Sequence, residues 1–462
     1  MKVLITVLCL YVVKNVQSQY YTIPDILIEA LKPRGLRVSI PDEDGIQLFA
    51  FHGKINEKMK GREAGVFSVD IRQAENGRWT FYNKGARLKV GDVLYYWVHV
   101  NYDGIGYEKD GVPFTVNALV DPDGQTDGDT SNLTCKQPQT KFSNESICKG
   151  ALIFEDNFEK FDRSKWKPEV KFAYGPDYEF VIYRDDVRNL YIKNRALHIK
   201  PVTTEDVYGP KSVRNRLDLG SSCTGTLPLQ CALSPKGANI LPPVTSAQIS
   251  TVDSFKFTYG IIEVKAKLPK GDWLYPEINL VPRGEVYGPD YASGRIRIAF
   301  LHGNSEFNHD LYAGCKMGNW DSARNYTMKK IYSDSPWTDD YHVFRVEWNP
   351  DGIILKVDNS VFGTIYPPAG GFASDQHLIQ VDSSITERWK KGTVLAPFDQ
   401  EMYIMLGVGA GGHVFSDNID HKPWDNGDPK QQLRFYQNQR EWKRSWSSAS
   451  KLTVQYVKVW SV

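Results

Sequence analysis

In the stretch SGRIRIAFLHGN, residues 293–304, Arg295 and Arg297 alternate with Ile296 and Ile298. One-by-one alternation of apolar and polar residues reads as a β-strand, and in a strand residues two apart point the same way. The pattern predicts two guanidinium groups side by side on one face of a sheet. A guanidinium stays protonated and offers only donors, so the pair cannot act as a base or a nucleophile. Its chemistry is anion capture, because each fork matches the two oxygens of a carboxylate or phosphate. Two readings stay open. The arginines pair with acids of their own chain, such as Asp290 or Glu277, or they bind a phosphate-bearing ligand or a partner's carboxylates. Hydrolytic chemistry would instead need a pair of acids, and Glu277, Glu285, Asp290 and Glu306 are the ones in this neighbourhood.

The segments around this strand are of β type. From 151 to 462 they include YGIIEVKAKL, RIRIAFL, HVFRVEW, GIILKVD, MYIMLGVG and LTVQYVKVW, divided by turn residues such as NPDG at 349–352. Long amphipathic helices are nearly absent, which predicts a large antiparallel sandwich. Residues 19–120 carry shorter alternating runs: GLRVSI, IQLFAFHG, GVFSVDI, RWTFYN, VLYYWVHV and FTVNAL. About seven short strands in a hundred residues predict an immunoglobulin-like sandwich. Between the two, residues 121–150 are rich in Asp, Gly, Thr and Ser and have little apolar periodicity, as in a linker. The expected fold class is thus all-β: an immunoglobulin-like sandwich at 19–120, a linker at 121–150, and a larger sandwich at 151–462.

The chain opens MKVLITVLCLYVVKNVQSQ, with a Lys, an apolar run and small residues before position 19. That pattern predicts a secretory signal peptide at 1–18 and a soluble, secreted mature protein. No later apolar run approaches the roughly 20 residues needed to cross a bilayer. Formal net charge is +1, which argues against nucleic acid as a main partner. Aromatic residues make up 13% of the chain; most are expected to fill sandwich cores, and a surplus of Trp and Tyr in a secreted β-protein can form flat platforms for sugar rings.

Secretion favours disulfides. Cys223 and Cys231 bracket a short loop and form a natural pair; Cys135 and Cys148 pair with each other, or one of them reaches Cys315. One thiol is left over. No Cys or His grouping has metal-ligand spacing, so neither a metal nor a cofactor is expected. Sequons at Asn132, Asn144 and Asn325 mark expected glycosylated surface positions.

Residues 150–462 resemble the laminarinase-like group of family-16 glycoside hydrolases, which implies a concanavalin-like β-jelly roll. The resemblance rests on FEDNF (154–158), SAQISTVDSFKFTYGIIEVKAKLPKGDWLYP (246–276), YHVFRVEWNPDGI (341–353) and PFDQEMYIMLGVGAGG (397–412). In that family the stretch matching SGRIRIAFLHGN carries a nucleophilic Glu, an Asp and an acid/base Glu, the last brought to the same face by a bulge. Retaining hydrolysis needs two such carboxyl groups about 5–5.5 Å apart. Here those positions are Arg295, Arg297 and Phe300, so the family mechanism cannot run. Two cleft tryptophans of the family pattern are also replaced, at Asn279 and Tyr291.

Residues 19–120 resemble carbohydrate-binding module family 39. The match lies in PRGLRVSIPDEDGIQLFAFHGKIN (33–56), NGRWTF (76–81) and LKVGDVLYYWVHV (88–100). The resemblance implies an exposed Trp, an Arg and an Asp contacting an ordered β-1,3-glucan helix. Trp79 takes the Trp position, Arg87 the Arg position, and Asp42 or Asp44 the Asp position. Together the two regions resemble the insect β-1,3-glucan recognition proteins. The resemblance implies secretion into haemolymph, binding of fungal β-1,3-glucan and of bacterial lipoteichoic acid or lipopolysaccharide, and self-association along the glucan. It further implies recruitment of a serine-protease zymogen of the prophenoloxidase cascade.

Overall fold

The structure is a computed structural model, and it describes residues 21–24, 26–75, 77–111, 113–116, 119–120, 137–142, 147–319, 321–378 and 381–462. The expected signal peptide, Asn132, Asn144, Cys135 and most of the expected linker lie outside the described residues. The chain divides into two compact units, Met1–Leu133 and Thr134–Val462.

In the first unit, Leu27–Ala30, Leu36–Pro41 and Arg78–Asn83 form a three-stranded sheet. A five-stranded sheet runs Phe67–Ile71, Ile46–Ile55, Val93–Tyr102 and Ile105–Asp110, with Phe114–Thr115 on the edge of Val93–Tyr102. Alternation makes the core. Phe49, Phe51, Leu94, Val98 and Val100 meet Val38, Ile40, Trp79 and Phe81 in one buried cluster, while their strand neighbours face outward. A hydrophobic face on each sheet has to be covered, and the second sheet covers it.

The second unit is built on two eight-stranded sheets. The one that carries the arginines runs Lys167–Pro168, Gln248–Ser250, Met402–Ala410, Leu274–Pro282, Arg295–Phe300, Asp310–Lys316 and Lys329–Tyr332, with Lys256–Phe257 also paired to Met402–Ala410. The other runs Leu190–Ile192, Leu197–Ile199, Leu452–Trp460, Gly260–Lys267, His342–Asn349, Gly352–Val357 and Ser360–Ile365, with Leu152–Asp156 also paired to Leu452–Trp460. Ile262, Val264, Phe344, Val346, Val457 and Val459 of the second sheet pack with Ile278, Ile296, Ile298, Leu311 and Ile404 of the first. Described residues at the end of the expected linker are held by this unit: Gln139 N–H donates to the Val462 carbonyl at 2.6 Å, and Lys141 N–H to that of Thr258 at 2.9 Å.

Cys223 and Cys231 form a disulfide, as expected. Cys148 is disulfide-bonded, and Cys315 is free and buried, so of the pairings left open the one to Cys315 is not formed. Asn325 lies exposed at the end of the short helix Asp321–Asn325.

Candidate functional site

Arg295 and Arg297 do point to one face, together with Tyr275 and Glu277 of the adjacent strand. The register shifts between Arg297 and Phe300, and this bulge turns Phe300 to the arginine side. The Arg297 guanidinium lies 4.2 Å from the centre of the Phe300 ring. Phe300 thus offers its π face to the neighbouring cation.

The ion-pair partner shared by the arginines is neither Asp290, which is exposed, nor Glu277, whose charge acts on Arg295 alone of the two. It is Asp177, 120 residues away in the chain from Arg297. Arg297 Nη2 lies 3.1 Å from Asp177 Oδ2, and Arg295 Nη1 3.8 Å from the same oxygen. Lys316 Nζ lies 3.8 Å from Oδ1, and the Tyr291 hydroxyl donates to Oδ2 at 2.6 Å. Three cations therefore share one buried carboxylate. Burial would raise the Asp177 carboxyl, but Lys316, Arg297 and Arg295 outweigh it and hold the group well below the usual range. The excess positive charge has two outlets. Arg295 and Lys316 lie 5.3 and 4.8 Å from the centre of the Tyr291 ring. Burial, helped by Arg297, also lowers the Lys316 ammonium to about 7.

Asp177 arrives on a strap. Lys171–Phe172 and Val181–Tyr183 pair antiparallel, and the residues between them close over the face of the arginine sheet. The strap is tied down by His413 N–H to the Asp177 carbonyl at 2.6 Å and Phe180 N–H to that of Ala410 at 2.8 Å. Gly412, at φ +81°, makes this approach possible: a Cβ there would stand 2.6 Å from the Asp177 carbonyl oxygen. What remains open beside Arg295, Glu179 and Glu277 is a cavity of about 120 Å³. Small-molecule sites begin near 300 Å³.

The same strap brings Glu179. Its carboxyl and that of Glu277 both meet the Tyr183 hydroxyl, at 2.8 and 2.9 Å, and Gln248 Nε2 donates to Glu277 at 2.9 Å. A hydroxyl has one proton. The three groups are satisfied together when Tyr183 donates to Glu277 and Glu179 carries a proton for Tyr183. Consistently, Glu179 is pushed up to about 8, by burial first and then by Glu277 and Asp177. Glu285 and Glu306 are exposed and take no part.

In the first unit the residues assigned by resemblance are placed less simply. The expectation of an exposed indole at position 79 is corrected: Trp79 is 5% exposed and packs in the core, because its strand parity matches Phe81. Its N–H donates to Asp42 Oδ1 at 2.7 Å, so the core fixes that carboxylate. Asp42, Asp44 and Arg87 are exposed. Trp97 is buried as well, stacked on His52 with its N–H on the Glu63 carbonyl. The exposed ring on the Trp79 strand is Tyr82, paired in register with Arg37 on the outer face. Asp42 follows Pro41 at one end of the strand pair, whereas Arg87 follows Ala86, which bonds to Gly35 at the other. About 17 Å of strand separates these ends.

Comparison with known proteins agrees with this two-part layout. The family model described as "Carbohydrate binding domain (family 32)" matches residues 22–141, and "Glycosyl hydrolases family 16" matches residues 235–393. The chain is 50% identical to the beta-1,3-glucan-binding protein of Tenebrio molitor, over 99% of each. The chain belongs to the family of β-1,3-glucan-binding and Gram-negative bacteria-binding proteins. Other members are beta-1,3-glucan-binding protein 1 of Manduca sexta, 39% identical over 95% of this chain and 96% of that one, and Gram-negative bacteria-binding protein 3 of Drosophila melanogaster, 36% identical over 96% and 95%. Among solved structures, the laminarinase from Rhodothermus marinus is 20% identical with a TM-score of 0.44, covering 68% of this chain and 98% of that one.

The raised Glu179 carboxyl has a measurable consequence. Its folded value of about 8 exceeds its ordinary 4.5, so its contribution to stability is fully present below pH 4.5 and is lost as pH rises towards 8. Glu179→Gln removes this dependence. Between pH 5 and 8 the stability of the variant is expected to rise relative to the parent by more than about 1 kcal/mol, as read by urea denaturation. A pH-independent difference would show that Glu179 is ionised in the fold.

Proposed function

We propose that this chain is a secreted, non-catalytic recognition protein that binds β-1,3-glucan through its first unit. The observation that carries the reading is the narrowed cleft: where a family-16 enzyme needs two carboxyl groups at an open site, this chain has Arg295, Arg297 and Phe300 beneath a strap anchored by Asp177. Full-length similarity to proteins named for glucan binding supports the ligand. Asp42, held by Trp79, and the exposed Asp44, Tyr82 and Arg87 are the groups offered for contact. Carboxylates and a guanidinium hydrogen-bond hydroxyls, and a flat ring takes the C–H face of a sugar. The separation of Arg87 from Asp42 suits an extended polymer better than a single sugar, and repeated epitopes on one particle gather many copies. Relatives named for Gram-negative bacteria support bacterial surface polymers as further ligands. Recruitment of a serine-protease zymogen follows from the family resemblance. With both arginines committed to Asp177, the sequence feature that favoured an anionic-polymer scaffold is accounted for within the chain.

The test is co-sedimentation of the full-length protein with insoluble β-1,3-glucan. Asp44→Ala, Tyr82→Ala and Arg87→Ala are each expected to weaken pelleting, on the order of tenfold where a charged hydrogen bond is lost. Arg295→Ala should leave it unchanged. Loss of pelleting in Arg295→Ala, with the first-unit variants unaffected, would place the sugar site in the old cleft instead.

A further inference from the structure

Tyr326, Thr327, Lys329, Thr364, Tyr366 and His377 line a groove of about 590 Å³ that shares no residue with the cleft. Sites for small ligands span about 300–1,000 Å³. Its place follows from the topology. Lys329–Tyr332 is the last strand of one large sheet and Ser360–Ile365 the last of the other, so the groove runs where the two layers end.

The rings in it are open to solvent yet held in place. Tyr366 is 60% exposed, and its ring lies over Gly352, where a Cβ would stand 2.4 Å from it. Tyr326 is 40% exposed, stacks on His377 with ring centres 5.1 Å apart, and bonds through its hydroxyl to Asp375. Thr364 and Ser374 add hydroxyls. Two positioned flat rings among hydroxyl, carboxylate and imidazole groups form a bed for pyranose rings: C–H faces stack, and hydroxyls find partners. The sequence names the occupant. Asn325 heads the sequon Asn325-Tyr326-Thr327 and is exposed, and the two residues after it are walls of the groove. Thr327 anchors that wall, donating to the Cys315 carbonyl at 2.7 Å.

We propose that this groove is the bed of the chain's own N-linked glycan at Asn325, whose first sugars stack on Tyr326 and Tyr366. The glycan covers two tyrosines and pins residues 364–377 to the sheet edge. The proposal is independent of glucan recognition by the first unit. Its test uses the full-length protein secreted from insect cells, with Asn325 occupancy read by glycopeptide mass spectrometry. Amide hydrogen exchange over 364–377 is then compared before and after enzymatic removal of the glycan, in the parent and in Tyr366→Ala. Removal is expected to speed exchange there at least threefold in the parent and to change little in Tyr366→Ala, where exchange is already fast. An unmodified Asn325, unchanged exchange in the parent, or an equal change in both proteins would overturn the proposal. So would protection of the groove in the glycosylated parent by an added β-1,3-linked glucose hexamer, which would make it a site for external sugar.

Discussion

Replacement of Asp177 by Asn is expected to destabilise the large unit by about 3–5 kcal/mol, the cost of removing one partner from a buried ion cluster. The amide fills the same space but leaves Arg295, Arg297 and Lys316 facing one another without the carboxylate they share. Lys316→Met in the same chain is expected to recover part of the loss, because it removes one of the repelling cations. The pH dependence has a definite sign. The Asp177 carboxyl is held below its ordinary 3.8, so its contribution is present above that pH and is lost as pH falls below it. In Asp177→Asn this acid limb disappears. Urea denaturation read by tryptophan fluorescence at pH 7 and at pH 3 measures both effects. A loss below about 1 kcal/mol would mean that the arginines have found other anions and that the strap is ornamental.

Trp79→Ala is expected to cost the first unit about 3–5 kcal/mol, as large-to-small changes of buried aromatics do. The indole belongs to the same buried cluster as Phe81 and also holds Asp42. Lost glucan binding in this variant would therefore report a damaged sandwich before it reported a lost contact. Trp79→Phe separates the two effects. It keeps an aromatic ring in the core but removes the N–H and the volume of the second ring, so a smaller cost of about 1–3 kcal/mol is expected, with a looser Asp42. Thermal unfolding and glucan pelleting, measured on both variants, decide the matter. A Trp79→Ala protein that melts like the parent yet no longer pellets would show that the indole itself touches sugar.

Some of this was legible in the chain alone, because it depends on local pattern. Alternation at 295–300 is enough to place Arg295 and Arg297 on one face, and the absence of carboxylates from that strand is written in residue type. Cys223 and Cys231 are eight residues apart, and a short loop can close only on itself. The all-β character follows from period-2 runs separated by turn residues. The bulge that carries Phe300 across was expected from the family pattern and not from the residues themselves.

What tertiary structure alone decided is what faces those residues. Asp177 meets Arg297 from 120 positions away, and its residue type does not distinguish it from any other acid in a turn. The one sign was two acids, Asp177 and Glu179, set against the apolar run Phe180–Tyr183, since acids next to buried strands need partners. Trp79 shows the converse. Its type suited a sugar platform, but strand parity, set by the pairing of Ile40 with Trp79, sent it inward. Residue type and spacing state which chemistry is available; burial and long-range pairing decide which partner it meets, because desolvation and charge compensation depend on the closed fold.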